Sequence, residues 1–492
     1  MREKERFLSY PILMTKQEEP QDFNSFGLQD LLLQGIREAG FEKPSPIQSK
    51  AIPLALEGRD LIAQAQTGTG KTAAFGLPSM EQIDPKGSIQ VLVLTPTREL
   101  ASQVSDELYK LGKHLGIKTV TIYGGASYGK QIHKANELAQ IAVATPGRLL
   151  DLLEKGEIKK FNPKIVILDE ADEMLDMGFQ EDIEAIFSYV PKERQTLLFS
   201  ATMPEGIQRL ASRYLHKPLH IRIEITEKSA KNIEQVYYVI EETEREMAVV
   251  RVLDYENPYK AIVFTKTKKE ADDLKTSLAF KGYPVEALHG DLNQKQREQV
   301  LRSLHDGRIR ILVATDVAAR GLDVKDLTHV INYHLPYDTE SYTHRIGRTG
   351  RAGKTGKAIT FVTTRESRAL QRLKHSAQHM SMAKVPTKQS VITKRMQELE
   401  TKVEHLDIRE EAESSLERLL SHLELKDIAL KLLSQKIAEQ KIGGPDSIGK
   451  DPKSWSAEPP PPRPRKKTGR YTESRDRDRK GKSNQSQRFR KR

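Results

Sequence analysis

The stretch Ile165-Val166-Ile167-Leu168-Asp169-Glu170-Ala171-Asp172 joins an apolar run directly to a cluster of carboxylates. Four consecutive apolar residues predict a strand that is buried on both faces, which is typical of a parallel sheet covered by helices. A carboxylate that follows such a strand lies at the carboxyl edge of the sheet, where ligands bind in open α/β folds. A surface acidic cluster is the simpler alternative, but such clusters do not usually follow a buried strand. This stretch therefore predicts an α/β fold with a ligand site at the end of the strand.

Apolar runs of similar length recur before and after this stretch, with spacers long enough to hold helices. They occupy residues 60–63, 91–95, 141–144 and 196–199 in the first half of the chain and 236–240, 261–264, 285–288, 311–314, 330–333 and 358–362 in the second. Buried strands that alternate with helices predict parallel sheets. The short polar stretch from Ile225 to Asn232 separates the two series. We therefore expect two similar α/β domains in tandem.

The rest of the chain differs in composition from these two series. Beyond Arg368, apolar residues recur at three- and four-residue spacing among many charges, as at Met396, Leu399, Val403 and Leu406. This pattern predicts amphipathic helices that form either a small packed appendage or a dimer surface. Low hydrophobicity and high charge predict disorder from about residue 442 onward. The predicted division is an N-terminal extension (1–22), a first domain (23–224), a linker (225–232), a second domain (233–369), a helical extension (370–441) and a disordered basic tail (442–492).

The basic charge of the chain is concentrated in this tail. The formal net charge is +12, and the segment from Arg463 to Arg492 contains 14 Lys or Arg and three acidic residues, a net of +11. Such a segment predicts a polyanionic partner. The chain has no cysteine, which excludes disulfides, thiolate zinc sites and a cysteine nucleophile. Its charged start and the lack of a long apolar run predict a cytoplasmic protein without a membrane span.

The stretch Ala65-Gln66-Thr67-Gly68-Thr69-Gly70-Lys71-Thr72 lies between a predicted strand and a predicted helix. It fits a phosphate-binding loop, except that Ala65 stands in place of the first glycine. Small residues let backbone N–H groups approach a β-phosphate at a helix N-terminus, while Lys71 reaches the β and γ phosphates and Thr72 holds Mg²⁺. A Gly/Thr-rich turn without a ligand is the alternative.

The carboxylates after Leu168 weaken that alternative. Asp169 is expected to hold Mg²⁺, and Glu170 is expected to orient and deprotonate the attacking water, so that the γ-phosphoryl group is lost in line. A phosphate-binding loop and a carboxylate pair in one α/β domain together indicate a nucleoside triphosphatase.

Further motifs follow one another in an order that one family shares. They are GFEKPSPIQ (40–48), PTREL (96–100), GG (124–125), TPGR (145–148), SAT (200–202), IVF (262–264), Gln294 with Arg297, ATDVAARGLD (314–323) and HRIGRTGR (344–351). From Phe23 to about Thr364 the chain resembles the DEAD-box RNA helicases, a family that itself carries alanine at the position of Ala65. The resemblance implies two tandem RecA-like domains that bind ATP and Mg²⁺ between them and separate RNA strands.

The resemblance assigns further residues to the ATP site. The amide of Gln48 offers a donor and an acceptor together, which suits the adenine edge, and the resemblance adds Phe23 stacking on the base and Asp323 contacting the ribose. Arg348 and Arg351 are implied to be arginine fingers that reach the γ-phosphate only when the domains close. The expected ATP-binding residues are Phe23, Gln48, Ala65, Gln66, Thr67, Gly68, Thr69, Gly70, Lys71, Thr72 and Asp323, and the expected catalytic residues are Lys71, Asp169, Glu170, Arg348 and Arg351.

RNA is expected to be held through its backbone. Glycines let the main chain approach phosphates, while threonines and arginines supply hydroxyls and charge. The expected RNA-binding residues are Pro96, Thr97, Arg98, Gly124, Gly125, Thr145, Pro146, Arg148, Gly290, Gln294, Arg297, Thr315 and Arg320. No aromatic platform interrupts this set, so we expect little sequence preference, with RNA distinguished from DNA by its 2′-hydroxyl. The resemblance implies that the helix after residues 145–148 bends one strand, which the partner strand cannot follow.

Coupling and the tail complete the predicted RNA chemistry. By resemblance, Asp172, Ser200, Thr202 and His344 link hydrolysis to strand separation. The tail is expected to add salt-sensitive, sequence-independent RNA affinity, and a tail that only improves solubility is the alternative.

Two other functions stay open for this sequence. A DNA helicase or translocase would share the tandem α/β domains, and an RNA clamp would hold RNA as a scaffold for other proteins with little turnover. Related bacterial proteins act in RNA decay with ribonucleases, in ribosome assembly and in cold adaptation. The expected partners are therefore RNA, ribonucleases of an RNA-degrading complex or pre-ribosomal particles, and a second copy of the chain through the helical extension.

Overall fold

The structure is a computed structural model that describes residues 22–452, with the exception of 66–67, 138, 224–231, 320, 323, 325, 351–353, 377–379 and 440–441. The predicted N-terminal extension up to residue 21, nearly all of the predicted linker, and the predicted tail from residue 453 onward lie outside the described residues. The same holds for five predicted site residues, namely Gln66, Thr67, Arg320, Asp323 and Arg351.

The first half of the chain builds one parallel sheet. Its strands are β1 (Leu61–Gln64), β2 (Ile89–Leu94), β3 (Thr119–Ile122), β4 (Ile141–Ala144), β5 (Phe161–Leu168), β6 (Gln195–Ser200) and β7 (Leu219–Arg222). Their order is β3-β4-β2-β5-β6-β1-β7, and the paired strands are parallel. The helices are α1 (Asp30–Glu38), α2 (Pro46–Leu56), α3 (Lys71–Glu81), α4 (Arg98–Gly112), α5 (Tyr128–Glu137), α6 (Pro146–Glu154), α7 (Ala171–Asp176), α8 (Gln180–Tyr189) and α9 (Glu205–Tyr214), with short 3₁₀ turns at Phe23–Phe26 and Lys113–Leu115.

The second half repeats this architecture. Its strands are β8 (Ile233–Ile240), β9 (Ala261–Thr265), β10 (Val285–Leu288), β11 (Ile311–Thr315), β12 (His329–Asn332), β13 (Gly356–Thr363) and β14 (Met380–Ala383). They form a parallel sheet in the order β10-β11-β9-β12-β13-β8-β14. The helices are α10 (Arg245–Glu256), α11 (Lys268–Phe280), α12 (Gln294–His305), α13 (Asp316–Ala319), α14 (Thr339–Ile346) and α15 (Ser367–Ser376), with 3₁₀ turns at Glu242–Glu244 and Thr364–Glu366. The predicted pair of RecA-like parallel-sheet domains is confirmed.

Burial on both faces explains why the strands are apolar without interruption. In β1, Leu61 and Ala63 pack into one hydrophobic core of the first domain, while Ile62 between them packs into another. Ile165 and Ile167 of β5 join the first of these cores, and the residues that alternate with them join the second. Successive side chains of a strand point to opposite faces, so each sheet is covered by helices on both sides.

Three strands were missed by the sequence pattern, and all three lie at or beside a sheet edge. Strands β3 and β7 end the first sheet, and β14 ends the second by pairing with β8. Edge strands are covered less completely than central ones, and the β14 sequence Met-Ser-Met-Ala lacks β-branched residues. The prediction of an all-helical segment from residue 370 is therefore wrong at β14, since residues 380–383 extend the sheet.

The helical extension continues with α16 (Lys388–Glu404), α17 (Glu410–Leu420) and α18 (Leu425–Glu439). The chain after α18 then returns to the second domain. The buried guanidinium of Arg251 in α10 donates to the carbonyl oxygens of Pro386, Gly443, Pro445 and Asp446 at 2.8 to 3.2 Å.

This return corrects the predicted start of the tail. Ile448 is 1% exposed within the core of the second domain, and the N–H of Lys450 donates to the carbonyl of Val239 at 2.7 Å. Residue 442 is thus too early for the tail, because Arg251 holds the main chain of residues 443–446, and Ile448 and Lys450 contact the second domain. Within the described residues, no helix has the length and apolar character needed to cross a membrane.

Candidate functional site

The phosphate-binding loop connects β1 to α3. Gly70 has φ +89°, a left-handed conformation that favours glycine, and it caps the N-terminus of α3. A Cβ atom at Gly70 would lie 2.4 Å from Nε2 of Gln48, so a larger residue would also displace the Gln48 amide that packs on the loop. The main chain of the loop can therefore present its N–H groups to an anion at the start of α3.

Lys71 and Asp169 form a buried pair at the carboxyl ends of β1 and β5. Nζ of Lys71 lies 3.7 Å from Oδ1 of Asp169, and the two side chains are 6% and 4% exposed. This ammonium has no hydrogen-bond acceptor among the described residues. A buried ammonium in this position fits a phosphate oxygen as its acceptor.

Burial also affects the protonation of Asp169. It raises the pKa of this carboxyl to about 6, although the positive charge of Lys71 acts in the opposite direction. A divalent cation would favour the ionised carboxylate, and Thr72 is half-buried one residue after Lys71. Thr72 and Asp169 therefore fit Mg²⁺ as oxygen ligands.

Glu170 sits at the junction of β5 and α7. Its backbone has φ +51° and ψ +51°, a left-handed conformation that is strained for a residue other than glycine, asparagine or aspartate. The residue is 4% exposed. The sharp turn places the carboxylate directly beside Asp169 at the carboxyl edge of the sheet, as the sequence predicts.

Gln48 and Phe23 are held by contacts inside the protein. Oε1 of Gln48 accepts the N–H of Ser45 at 2.8 Å, and Nε2 donates to the carbonyl of Gly70 at 3.0 Å. The Phe23 ring is 3% exposed and meets the rings of Phe26 and Phe41 edge-on at 6.0 and 6.2 Å. Gln48 thus couples α2 to the phosphate-binding loop, and Phe41, which is only half-buried, offers more exposed aromatic surface than Phe23.

The two domains meet across a cleft at the carboxyl ends of both sheets. Oδ2 of Asp172 accepts the N–H groups of Ala201 and Thr202 at 3.1 and 2.8 Å and the Thr202 hydroxyl at 2.9 Å. Oγ1 of Thr202 is also 2.5 Å from Oε1 of Glu340 in α14. The predicted coupling residues Asp172 and Thr202 are therefore brought together, and Thr202 touches the second domain.

Ser200 and His344 complete this arrangement. The Ser200 hydroxyl donates to the carbonyl of Thr202 at 2.6 Å, which fixes the turn after β6. Nδ1 of His344 lies 2.7 Å from Oε1 of Glu173, the residue after Asp172. Burial alone lowers the pKa of His344, but the Glu173 hydrogen bond and the neighbouring negative charges outweigh burial, so the net shift is upward.

A second set of contacts across the cleft joins the predicted RNA-binding residues. NH1 of Arg98 donates to Oε1 of Gln294 at 3.2 Å, and Nε of Arg297 donates to Oε1 of Glu99 at 2.8 Å. Gly321 has φ +69°, and a Cβ atom there would lie 2.2 Å from the Thr97 hydroxyl. The domains are therefore closed on each other at residues 97–99.

The second-domain arginines are positioned by their own domain. Arg345 makes two hydrogen bonds of 2.6 Å to the Asp316 carboxylate and one of 3.0 Å to Asn332. NH1 of Arg348 donates to the carbonyl of Leu322 at 2.9 Å, and the residue is 6% exposed. Arg345 therefore braces α14, and Arg348 is held at the same end of the helix.

The remaining predicted RNA-binding residues lie along the same edge of the sheets. Pro96, Thr145 and Pro146 follow strands, Thr315 ends β11, and all four are largely buried, whereas Gly125 and Gly290 are exposed. Gly125 has φ +83°, and a Cβ atom there would lie 2.5 Å from NH1 of Arg98. A Cβ atom at Gly124 would lie 3.2 Å from NH2 of the same side chain. Arg98 therefore lies directly against both glycines, and the three residues form one surface. NH1 of Arg148 is buried without a hydrogen-bond acceptor among the described residues.

Several residues of the candidate site were not among the expected site residues, although Phe41 and Ser45 lie within the motif at 40–48. They are Ser45, Phe41, Glu99, Glu173 and Glu340. Glu99 and Glu173 adjoin predicted site residues, so proximity to a motif was an available signal. Glu340 lies four residues before His344, one turn of helix away. No sequence pattern indicates that Glu340 contacts Thr202 of the other domain.

The chain is similar to known helicases over most of its length. A family model described as DEAD/DEAH box helicase matches residues 45–210, and one described as helicase conserved C-terminal domain matches residues 244–353. The DEAD-box ATP-dependent RNA helicase RhpA of Helicobacter pylori is 49% identical over 423 residues, which are 86% of this chain and 85% of RhpA. The DEAD-box ATP-dependent RNA helicase CshA of Bacillus cereus is 48% identical over 367 residues, which are 74% of this chain and 70% of CshA.

The chain is also similar in fold to solved structures of helicases bound to RNA. The structure of S. cerevisiae Dbp5 bound to RNA and ADP BeF3 matches with a TM-score of 0.68 and 33% identity, and the match covers 74% of this chain and 96% of that chain. The structure of the DEAD-box helicase Mss116 bound to ssRNA and UDP-BeF matches with a TM-score of 0.68 and 29% identity, covering 77% of this chain and 84% of that chain.

Proposed function

Since the chain belongs to the DEAD-box family of ATP-dependent RNA helicases, we propose that it separates short RNA duplexes and remodels RNA–protein complexes by closing two domains, residues 23–224 and 233–369, around ATP and one RNA strand. The observation that carries this proposal is the pair of contacts from Thr202 to Glu340 and from Glu173 to His344. They join the carboxylate motif of the first domain to α14 of the second domain, and Arg348 follows the end of this helix by two residues. Closure therefore assembles groups from both domains in one cleft.

The chemistry follows from the positions of the charged groups. The N–H groups at the start of α3 and the ammonium of Lys71 would hold the β and γ phosphates, and Thr72 and Asp169 would hold Mg²⁺, whose charge would neutralise that of the phosphate oxygens. Glu170 orients the attacking water and accepts its proton. Arg348, together with Arg351, stabilises the negative charge of the transition state when the domains close.

RNA is held across both domains by the surface that Arg98, Gly125 and Gln294 form together. Arg98 and Gln294 contact each other across the cleft, so a strand bound there would bridge the domains. Its phosphates would accept hydrogen bonds from Arg98, Arg148 and the glycine main chain, and the 2′-hydroxyl would distinguish RNA from DNA. A strand bent over α6 would leave its partner, and the duplex would open locally.

Cooperative binding of RNA and nucleotide tests this function. ADP with beryllium fluoride is expected to strengthen the binding of a ten-nucleotide RNA roughly 5- to 150-fold, because each ligand favours the closed state that the other requires. A DNA of the same sequence should show little of this coupling. Fluorescence anisotropy with both oligonucleotides, with and without the nucleotide analogue, measures the effect.

The alternatives give different results in this experiment and in a phosphate-release assay with ATP. A DNA helicase or translocase would show equal or stronger coupling with DNA. An RNA clamp that acts only as a scaffold would bind RNA cooperatively but would release phosphate no faster with RNA than without it. RNA-stimulated phosphate release together with RNA-specific coupling is the result that the proposal requires.

Protonation of His344 should make closure depend on pH. The pKa of His344 is raised in the closed structure. Protonated His344 therefore stabilises the closed state fully below the free pKa of about 6.5, and this stabilisation is lost as the pH rises through the raised pKa. Replacement by Ala should weaken closure roughly tenfold or more at pH 6, since a charge-assisted hydrogen bond is lost, and should flatten the pH dependence.

Fluorescence transfer between the domains can measure this dependence. The chain has no cysteine, so single cysteines at the exposed positions Glu57 and Arg365 allow specific labelling. Closure would be followed with the nucleotide analogue and RNA between pH 6 and 8.5. A wild-type protein whose closure is independent of pH would contradict the assigned role of the Glu173 contact.

A second copy of the chain is the proposed partner of the helical extension. Leu416 and Leu420 of α17 are 36% and 46% exposed, and Leu425, Leu430 and Leu432 of α18 are more than half exposed. So many exposed leucines on adjacent helices are typical of an interaction surface. Analytical ultracentrifugation should show a dimer for the full chain and a monomer for a variant with Leu416→Glu and Leu420→Glu. Ser414→Glu, on the same helix, is the matched control that should stay dimeric.

The remaining parts of the proposal rest on the sequence. The basic segment after residue 452 adds sequence-independent RNA affinity that weakens as salt increases. RNA decay with ribonucleases and ribosome assembly are the processes in which we propose that the protein acts, in the cytoplasm.

A further inference from the structure

An aromatic side chain lies beside the proposed RNA surface. Tyr128 is the first residue of α5 and follows Gly125 by three positions. Cζ of Arg148 lies 4.2 Å from the centroid of its ring, and Nζ of Lys155 lies 5.1 Å from the same centroid and 3.1 Å from the Tyr128 hydroxyl. We call Tyr128, Arg148 and Lys155 the Tyr128 cluster.

The charges of the cluster are organised by one helix. Asp151 of α6 lies 3.9 Å from Nε of Arg148 and 2.7 Å from Nζ of Lys155. The two cations and the carboxylate all belong to α6 or its C-terminal cap, and Asp151 holds both cations at the Tyr128 ring. The ring is therefore held in place, yet Tyr128 remains 36% exposed. An aromatic ring that is fixed and partly exposed loses little conformational entropy when a ligand stacks on it.

From this geometry we propose that the Tyr128 ring is a stacking platform for one nucleobase of the bound RNA strand. The inference rests on the proposed function, because Arg148 belongs to both the Tyr128 cluster and the proposed RNA surface. Bases present a π-face whatever their identity, and cations around an aromatic ring attract the phosphates that flank the base. The sequence analysis expected no aromatic platform among the RNA-binding residues. The proposed site differs from that expectation by adding one aromatic ring to the RNA surface. Tyr128 was missed because it is 20 positions from Arg148 in the sequence, and only the tertiary fold brings the start of α5 next to Arg148 and Lys155.

Removal of single bases from the RNA tests this site. A set of ten-nucleotide RNAs, each with one abasic position, would be bound to the full chain in the presence of ADP with beryllium fluoride. One position should lose about five- to tenfold in affinity for the wild-type protein, which is the lower part of the range for stacking of a base on an aromatic ring. Tyr128→Ala should bind the intact RNA with the same loss and should no longer respond to that abasic position.

Two further variants separate stacking from charge. Tyr128→Phe keeps the ring and should retain the abasic response, although it loses the hydrogen bond to Lys155. Lys155→Ala should keep the abasic response but lower the slope of log affinity against log salt by about 1, whereas Tyr128→Ala should leave this slope unchanged. Thermal unfolding of each variant would verify that it folds.

The outcomes distinguish the site from the proposed function. If the wild-type protein binds RNA cooperatively with the nucleotide analogue but responds equally to every abasic position, the stacking platform is refuted and Tyr128 only packs against α6. The same conclusion follows if Tyr128→Ala keeps the wild-type abasic profile. If the wild-type protein shows no cooperative RNA binding at all, the proposed function itself fails.

Discussion

Replacement of Arg348 with alanine is expected to lower kcat for RNA-stimulated ATP hydrolysis about 10³- to 10⁵-fold, the range typical of arginine fingers. ATP affinity in the absence of RNA should change little, because the phosphate-binding loop lies in the other domain. The structure supports this separation of the ATP-binding loop and Arg348 between the two domains. Arg348 is 6% exposed and donates to the carbonyl of Leu322 in its own domain, so it belongs to the second domain and would move away from the phosphate-binding loop when the domains open.

Steady-state phosphate release at saturating RNA measures the effect, and binding of a fluorescent nucleotide measures the affinity. Arg348→Lys keeps the positive charge but loses the planar fork of donors, and it should remain strongly impaired. Arg365→Ala, at an exposed position of the same domain, is the control and should turn over normally. If Arg348→Ala retained the wild-type kcat, the second domain would not contribute this arginine to the transition state.

Replacement of Glu170 with glutamine is expected to slow hydrolysis about 10²- to 10⁴-fold, which is the usual contribution of a general base. The amide has the same shape as the carboxylate and fits the same backbone with φ +51°, but it cannot accept the proton of the attacking water. ATP and RNA binding should therefore persist. The variant should accumulate as a closed complex with both ligands.

Single-turnover hydrolysis and the lifetime of the RNA complex in ATP measure this result. Glu57→Gln, at an exposed position of the first domain, is the matched control. Normal turnover in Glu170→Gln would contradict the water-activating role. The trapped complex has a second use, because the RNAs and proteins that copurify with it would distinguish RNA decay from ribosome assembly.

The sequence by itself determined the family, the two parallel sheets and the order of the motifs. These features are local: an apolar run predicts a buried strand, and the residues after it must lie at the carboxyl edge of a parallel sheet. Lys71 and Asp169 are separated by almost a hundred positions, yet both come after interior strands of one parallel sheet, so their proximity could be expected before the structure. Their distance of 3.7 Å agrees with that expectation.

Only the tertiary structure decided which groups meet between elements that are distant in the sequence. Glu340 reaches Thr202, and Tyr128 packs on Arg148, although neither pair is marked by a sequence pattern. Arg251 likewise donates to four carbonyl oxygens and so holds residues 443–446 against the second domain. Composition had predicted disorder for these residues. Periodicity reports whether a residue is buried, whereas a hydrogen bond or a stacked ring depends on the relative position of two elements, which the packing of the whole chain sets.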